Sequence, residues 1–117
     1  MPQNQFDGAR AEKIAQQHLK KQGLNILDAN FSSRMGEIDL IMKDMGTIVF
    51  VEVRYRKNSN FDSPLETITP DKQRKIRLTA QSYLAKHALQ NADCRFDTVG
   101  LSGNLTTATI DWVKNAF

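Results

Sequence analysis

Apolar residues recur along this chain at two different periods, and the places where the period changes mark out its elements. From Asp7 to about Gln22 the spacing is helical, with Ala11, Ile14, Ala15, His18 and Leu19 on one stripe. Asp7 is suited to cap that helix and Gly23 to stop it. At about 100° per residue, Glu12 falls on the edge of the stripe, in line with Ala15 and Leu19. A strand is expected around Asn25–Ser32, polar enough to lie near a sheet edge. The next two segments alternate with a period of two. In Glu37–Lys43, Ile38, Leu40 and Met42 point one way, and Glu37, Asp39, Ile41 and Lys43 the other. In Thr47–Tyr55, Val49, Val51 and Val53 oppose Ile48, Phe50, Glu52 and Arg54. Apolar character over Ile48–Val53 predicts a central strand covered on both faces.

Arg56–Thr69 reads as a loop, broken by Asn58-Ser59-Asn60 and Ser63-Pro64. Thr69-Pro70-Asp71 is a helix start: a cap, a proline at the first position and an acid in the first turn. That helix is expected to reach His87–Gln90, with Ile76, Ala80, Tyr83, Leu84 and His87 inward. Two closing strands, near Cys94–Leu101 and Leu105–Trp112, flank a turn at Ser102-Gly103-Asn104. The order is αβββαββ, an α/β single domain over residues 1–117.

One position breaks the pattern. Glu52 stands in the middle of the most apolar strand, and a carboxylate there needs a partner or a task. A tight turn at Asp44–Gly46 makes paired residues sum to 91, which sets Asp39 across from Glu52, Glu37 across from Arg54, and Ile41 across from Phe50. Ile38, Leu40 and Met42 then face Val53, Val51 and Val49. Opposed Cβ atoms lie about 4.5–5.5 Å apart, so two carboxylates there need a shared proton or a cation. An all-oxygen donor set without thiolates points to Mg²⁺ or Mn²⁺. Glu12 completes the acidic cluster if the first helix covers that face. Arg54, two residues from Glu52, suits a bidentate phosphate contact. The structural alternative is a Glu37–Arg54 ion pair, with Asp39 solvated at a strand end.

Composition narrows the setting. A chain of 117 residues, 40% apolar and 25% charged, suits one modest globular core. It has no apolar run near membrane-spanning length, and its polar N-terminus has no secretory pattern. A single cysteine, Cys94, read as a packed thiol, fits a reducing compartment, so a cytoplasmic protein is expected. The net charge of +3 is mild, but Arg54–Arg77 holds seven basic residues against three acidic ones. Arg54, Arg56, Lys57, Lys72 and Lys75 are candidate phosphate contacts, with Tyr55 and Phe61 interleaved as stacking partners for bases. Lys72, Lys75, Thr79 and Lys86 form a stripe on the second helix. The bland readings are a solvated basic face and a Tyr55 packed beneath the sheet edge. His18 and His87 read as partly buried core residues, and Arg95 with Asp97 as a structural ion pair.

The segments GEIDLI, VFVEVRYR and DCRFD resemble the YraN family of small bacterial proteins, over nearly the whole chain. That family is similar to nucleases of the PD-(D/E)XK type and, among them, to archaeal Holliday junction resolvases. The resemblance implies a restriction-endonuclease-like domain, with a mixed central sheet flanked by helices. It implies Asp39 and Glu52 as the acids of the motif and Glu12 as the helical acid. It also makes a nucleic-acid partner, DNA above all, the expectation. Many junction-cutting relatives act as two-fold dimers, which leaves a homodimer open.

The nuclease motif ends in lysine where this chain has Arg54. Arginine keeps its proton and is a poor base, although it can stabilise phosphoryl charge. Lys72 is placed to supply an ammonium from outside the strand. Three readings follow: a Mg²⁺- or Mn²⁺-dependent endonuclease, a nuclease-like scaffold that binds nucleic acid without cutting it, and a module whose basic face docks an acidic protein.

Overall fold

The computed structural model describes residues 5–57 and 68–117, with side chains described from Asp7 onward. Helix α1 spans Gln5–Lys21, strand β1 Asn25–Ser33, β2 Gly36–Asp44 and β3 Thr47–Arg56. Helix α2 spans Pro70–Lys86, β4 Cys94–Ser102 and β5 Thr109–Val113, with a single 3₁₀ turn at Leu105–Thr107 between the last two strands. The protein is therefore α/β, with two helices and one five-stranded sheet in the order αβββαββ. The strands lie in sequence order β1-β2-β3-β4-β5. The β3–β4 pair is parallel, with α2 in the connection, and the other three pairs are antiparallel. No helix among the described residues is long and apolar enough to cross a membrane.

Alternation along the central strands builds two cores. On one face Leu40, Met42, Val49, Val51, Val99 and Leu101 meet Ala11, Ala15 and Leu19 of α1. The two alanines present little bulk on that helix face, which lets α1 approach the sheet closely. On the other face Ile41, Ile48, Phe50 and Phe96 meet Ile76, Ala80 and Tyr83 of α2. Tyr83 meets Phe31 and Phe50 edge to face, at centroid distances of 5.1 and 6.2 Å.

The helix ends follow their local chemistry, with some departures from expectation. Helix α1 begins at Gln5, so Asp7 lies within the first turn instead of capping it. Its end is a Schellman turn: Gly23 has φ +103°, its N–H donates to the Lys20 carbonyl, and the Leu24 N–H donates to that of Leu19. Thr69 caps α2 by accepting the Lys72 N–H at 3.1 Å, with Pro70 at the first position. That helix stops at Lys86, so His87 is its exposed cap, 4.3 Å from the Tyr83 ring, and not a core residue. His18 is half-buried, as expected. Thr79, expected on the basic stripe, is fully buried, and its hydroxyl bonds the Lys75 carbonyl and Ser33 Oγ. Cys94 is exposed at the start of β4 and not packed. The last strand begins at Thr109, because Asn104 caps the 3₁₀ turn and delays the chain's return to the sheet.

The expected ion pair of Arg95 and Asp97 is present and belongs to a larger network. Asp97, 0% exposed, accepts from Arg95 Nε, from Trp112 Nε1 at 2.9 Å and from the Asn115 N–H at 3.0 Å. Arg95 also meets Asp44 at 2.9 Å, so this cluster ties the β2–β3 hairpin to the C-terminal segment. Asp97→Ala should destabilise the protein by about 3–5 kcal/mol, since the Trp112 indole N–H and the Asn115 N–H lose a buried acceptor and the Arg95 guanidinium keeps only Asp44. Asp97→Asn should cost less than half of that. Urea denaturation of the two variants checks both values.

Candidate functional site

The hydrophobic register places the site, and its failure opens it. Strands β2 and β3 pair from Asp44↔Thr47 to Leu40↔Val51, every pair summing to the expected 91. The ladder ends there, one step short of Asp39 and Glu52. Beyond it the Val53 N–H donates to Asp39 Oδ2 at 2.8 Å, so a side chain satisfies β3 where strand main chain otherwise would. The expected pairing of Glu37 with Arg54 lies past this end.

Alternation also breaks at Asp39. Ile38 belongs to the α2-side core and Leu40 to the α1-side core, although they are two residues apart. Ile38 was expected to share a face with Leu40 and Met42; it lies in the opposite core instead, on the strand segment past the end of the β2–β3 ladder. Across the β1–β2 pair, Asn30 carries φ +56°, between Ala29↔Leu40 and Phe31↔Ile38. Asparagine tolerates this left-handed conformation better than most residues. Sequence reasoning passed over Asn30, although an asparagine inside a strand is a signal of irregular backbone.

Three carboxyls meet at this parting of strands. Asp39 is hydrogen-bonded to Glu52 and to Glu12, and Glu12 also to Asn30. Glu12 comes from α1, which covers the face opposite Glu52, so it reaches Asp39 from the other layer. Burial, then the hydrogen bond with Glu52 and the charge of Glu52, pushes the Asp39 carboxyl up to about 9. Asp39 therefore holds a proton at neutral pH, within its hydrogen bond to Glu52. Burial raises Glu12 as well, opposed by its hydrogen bonds to Asn30 and Asp39.

Glu52 is 8% exposed and meets Lys72 Nζ at 3.0 Å. That contact is an ion pair without hydrogen-bond alignment, for Glu52 Oε2 has no hydrogen-bond partner among the protein's groups. Its register neighbour on β4, Thr98, also has a buried hydroxyl without one. A cavity of about 320 Å³ opens beside these groups, lined by Glu37, Asp39, Glu52, Asp71, Lys72 and Lys75, among others.

A half-buried Asp39 carboxyl and a buried Glu52 carboxyl, hydrogen-bonded to each other and with one unpartnered oxygen, make a hard-oxygen donor set of the kind Mg²⁺ and Mn²⁺ prefer. The fit rests on the pair Asp39 and Glu52. No group of three or more His, Cys, Asp or Glu among the described residues is arranged to hold a metal ion. Glu12 stands behind Asp39 and orients it.

The basic segment divides. Lys72 and Lys75 flank the carboxylate cavity. Lys57 lines a separate depression with Asp7, Arg10 and Asn104. Arg54 and Arg56 are half-buried on β3. Tyr55 is 7% exposed within the α1-side core, and its hydroxyl donates to the Gly103 carbonyl at 2.7 Å, so its ring is packed at the end of the central strand and not presented to bases. Phe61 lies outside the described residues.

With this geometry in place, comparison with known proteins identifies the lineage. The chain belongs to UPF0102, an uncharacterised protein family whose model matches residues 11–101, the YraN family that the motifs resemble. It is 49% identical over 110 residues to a UPF0102 protein of Coxiella burnetii (strain RSA 493 / Nine Mile phase I), covering 93% of this chain and 89% of that protein. It is 46% identical over 112 residues to one of Colwellia psychrerythraea (strain 34H), covering 94% and 87%. A Nitrosococcus oceani relative is 41% identical over 111 residues, covering 94% and 90%.

The raised Asp39 carboxyl has a consequence for stability. The folded state holds a proton that the unfolded chain releases above its ordinary value of 3.8, so stability falls as pH rises toward about 9. In EDTA, wild-type stability should decline from about pH 5 to about pH 8, by at most about 1.4 kcal/mol per pH unit. Asp39→Asn, which keeps an acceptor for Val53 and a donor for Glu52, should be the more stable protein at the alkaline end and lack this slope. Thermal unfolding followed by circular dichroism across that range measures both curves.

Proposed function

We propose that this protein is a divalent-metal-dependent phosphodiesterase acting on nucleic acid. The observation that carries the reading is the pair Asp39 and Glu52, hydrogen-bonded to each other where β2 and β3 part. They sit beside a cavity whose other wall bears two lysines. Asp39 and Glu52 would hold Mg²⁺ or Mn²⁺, and the bound ion would lower the pKa of a water and offset charge on a phosphate. Around it the chain's own groups have separate tasks. The Val53 N–H fixes the Asp39 carboxyl, and Glu12 holds its other side. Arg54, two residues beyond Glu52 on β3, contributes a bidentate phosphate contact. Lys75, with Lys57 further off, contributes backbone affinity that is tolerant of sequence and sensitive to salt. The expected partner is DNA, selected by shape more than by base sequence.

A second reading has its own observation. The Lys72–Glu52 ion pair balances the site's charge without any metal, which favours a scaffold that binds nucleic acid, or an acidic protein, without cutting.

Purified wild type and Glu52→Gln, incubated with labelled duplex, single-stranded and four-way-junction DNA in Mg²⁺ or Mn²⁺, separate the two. Cleavage by the wild type, reduced at least about a hundredfold in the variant, is expected. Salt-dependent DNA retention by both proteins with no cleavage by either would establish the scaffold in its place.

A further inference from the structure

Lys72 stands where its own helix does not favour it. It is the third residue of α2, inside the first turn, where unsatisfied N–H groups leave partial positive charge and acidic residues are preferred. Its neighbours obey that rule: Asp71 takes the first turn and pairs with Arg74 at 2.8 Å and Lys75 at 3.2 Å. Lys72 turns instead into the cavity, to Glu52 on the central strand. The pair has one buried end and one open end, since Glu52 is 8% exposed and the Lys72 side chain 45%. Its backbone is pinned by the Thr69 cap, while its ammonium is held by charge without an aligned hydrogen bond. A four-carbon stem on a fixed base, gripped only at the tip, can change partners without moving the helix. Arg54, by contrast, lies on β3 and is not among the described residues that line this cavity.

We infer that Lys72 is the catalytic ammonium of this site, an inference that rests on the phosphodiesterase reading above. It balances Glu52 in the resting protein and passes to a non-bridging phosphate oxygen once Glu52 is taken up by a divalent cation. In the step it serves, a water oxygen bonds to phosphorus as one phosphorus–ester oxygen bond breaks. The ester oxygen leaves with the electron pair and takes a proton from solvent, and the water's proton passes to solvent. Lys72 offsets the charge that gathers on the phosphate oxygens. Arg54 then serves binding more than rate.

The test compares wild type, Lys72→Gln, Lys72→Arg and Arg54→Gln in single-turnover cleavage with Mn²⁺ and saturating DNA. Mn²⁺ affinity without DNA is measured calorimetrically on the same proteins, each checked for its fold by circular dichroism. Lys72→Gln should lose about a hundredfold or more in rate, and Lys72→Arg should recover at least about tenfold of that. Arg54→Gln should weaken DNA binding while its saturated rate stays within about tenfold. Lys72→Gln should also bind Mn²⁺ more tightly, by about threefold to tenfold, because a competing cation has left Glu52. Tighter metal binding joined to slower cleavage is a combination that a misfolded site does not give. The inference is overturned if Lys72→Gln cuts at the wild-type rate, if Arg54→Gln loses more rate than Lys72→Gln, or if Mn²⁺ affinity falls. Cleavage by wild type and Lys72→Gln alike would overturn this inference alone. A wild type that cuts none of the DNA shapes would overturn the phosphodiesterase reading and this inference with it.

Discussion

The hydrogen bond from the Val53 N–H to Asp39 is the constraint on which the rest of the site depends. A central strand cannot leave a buried N–H without an acceptor, and here the acceptor is a carboxyl instead of a neighbouring carbonyl. That exchange ends the β2–β3 ladder one step early. It also holds Asp39 within hydrogen-bonding reach of Glu52, beside the cavity that opens where the ladder stops. An aspartate with its carboxyl tied on one side to backbone and on the other to two glutamates is a costly arrangement for folding. Such local conflicts are where function is found more often than accident.

The two cores make that arrangement affordable to the fold. Helix α1 on one face and α2 on the other bury both sides of β3 from Ile48 to Val51, so the strand enters the site from the core at Glu52. Each helix also sends one charged side chain around to the parting of the strands, Glu12 from α1 and Lys72 from α2. The site thus draws on both layers of the molecule. The Asp44–Arg95–Asp97 network pins the far end of the same hairpin to the C-terminal segment, so β2 and β3 are fixed at one end and open at the other.

Much of this was legible in the sequence, because most of it depends on neighbours in the chain. The period-two runs gave β2 and β3 and their register, since a one-residue slip would have exchanged apolar and charged faces. Thr69-Pro70 and Gly23 marked helix ends through local hydrogen bonding alone. What the sequence misplaced was decided by contacts from elsewhere. Thr79 sits at a position that reads as surface, yet its hydroxyl is hydrogen-bonded to Ser33 Oγ of β1. His87 reads as core by spacing, yet the helix ends before it. Tyr55 reads equally as a stacking platform and as a packed ring, and Gly103 from the β4–β5 connection, by taking its hydroxyl, decides for the second.

The same division holds for the chemistry. A carboxylate in an apolar strand, and a second one opposite it, follow from residue type and pairing parity, so Asp39 and Glu52 were determined by the sequence itself. The raised Asp39 carboxyl, the flip of Ile38 and Leu40 into opposite cores, the left-handed Asn30 and the arrival of Lys72 were decided only by tertiary structure. The physical reason is range. Periodicity and capping act over a few residues, whereas burial and a charge from a helix across the sheet depend on which surfaces the whole fold brings together.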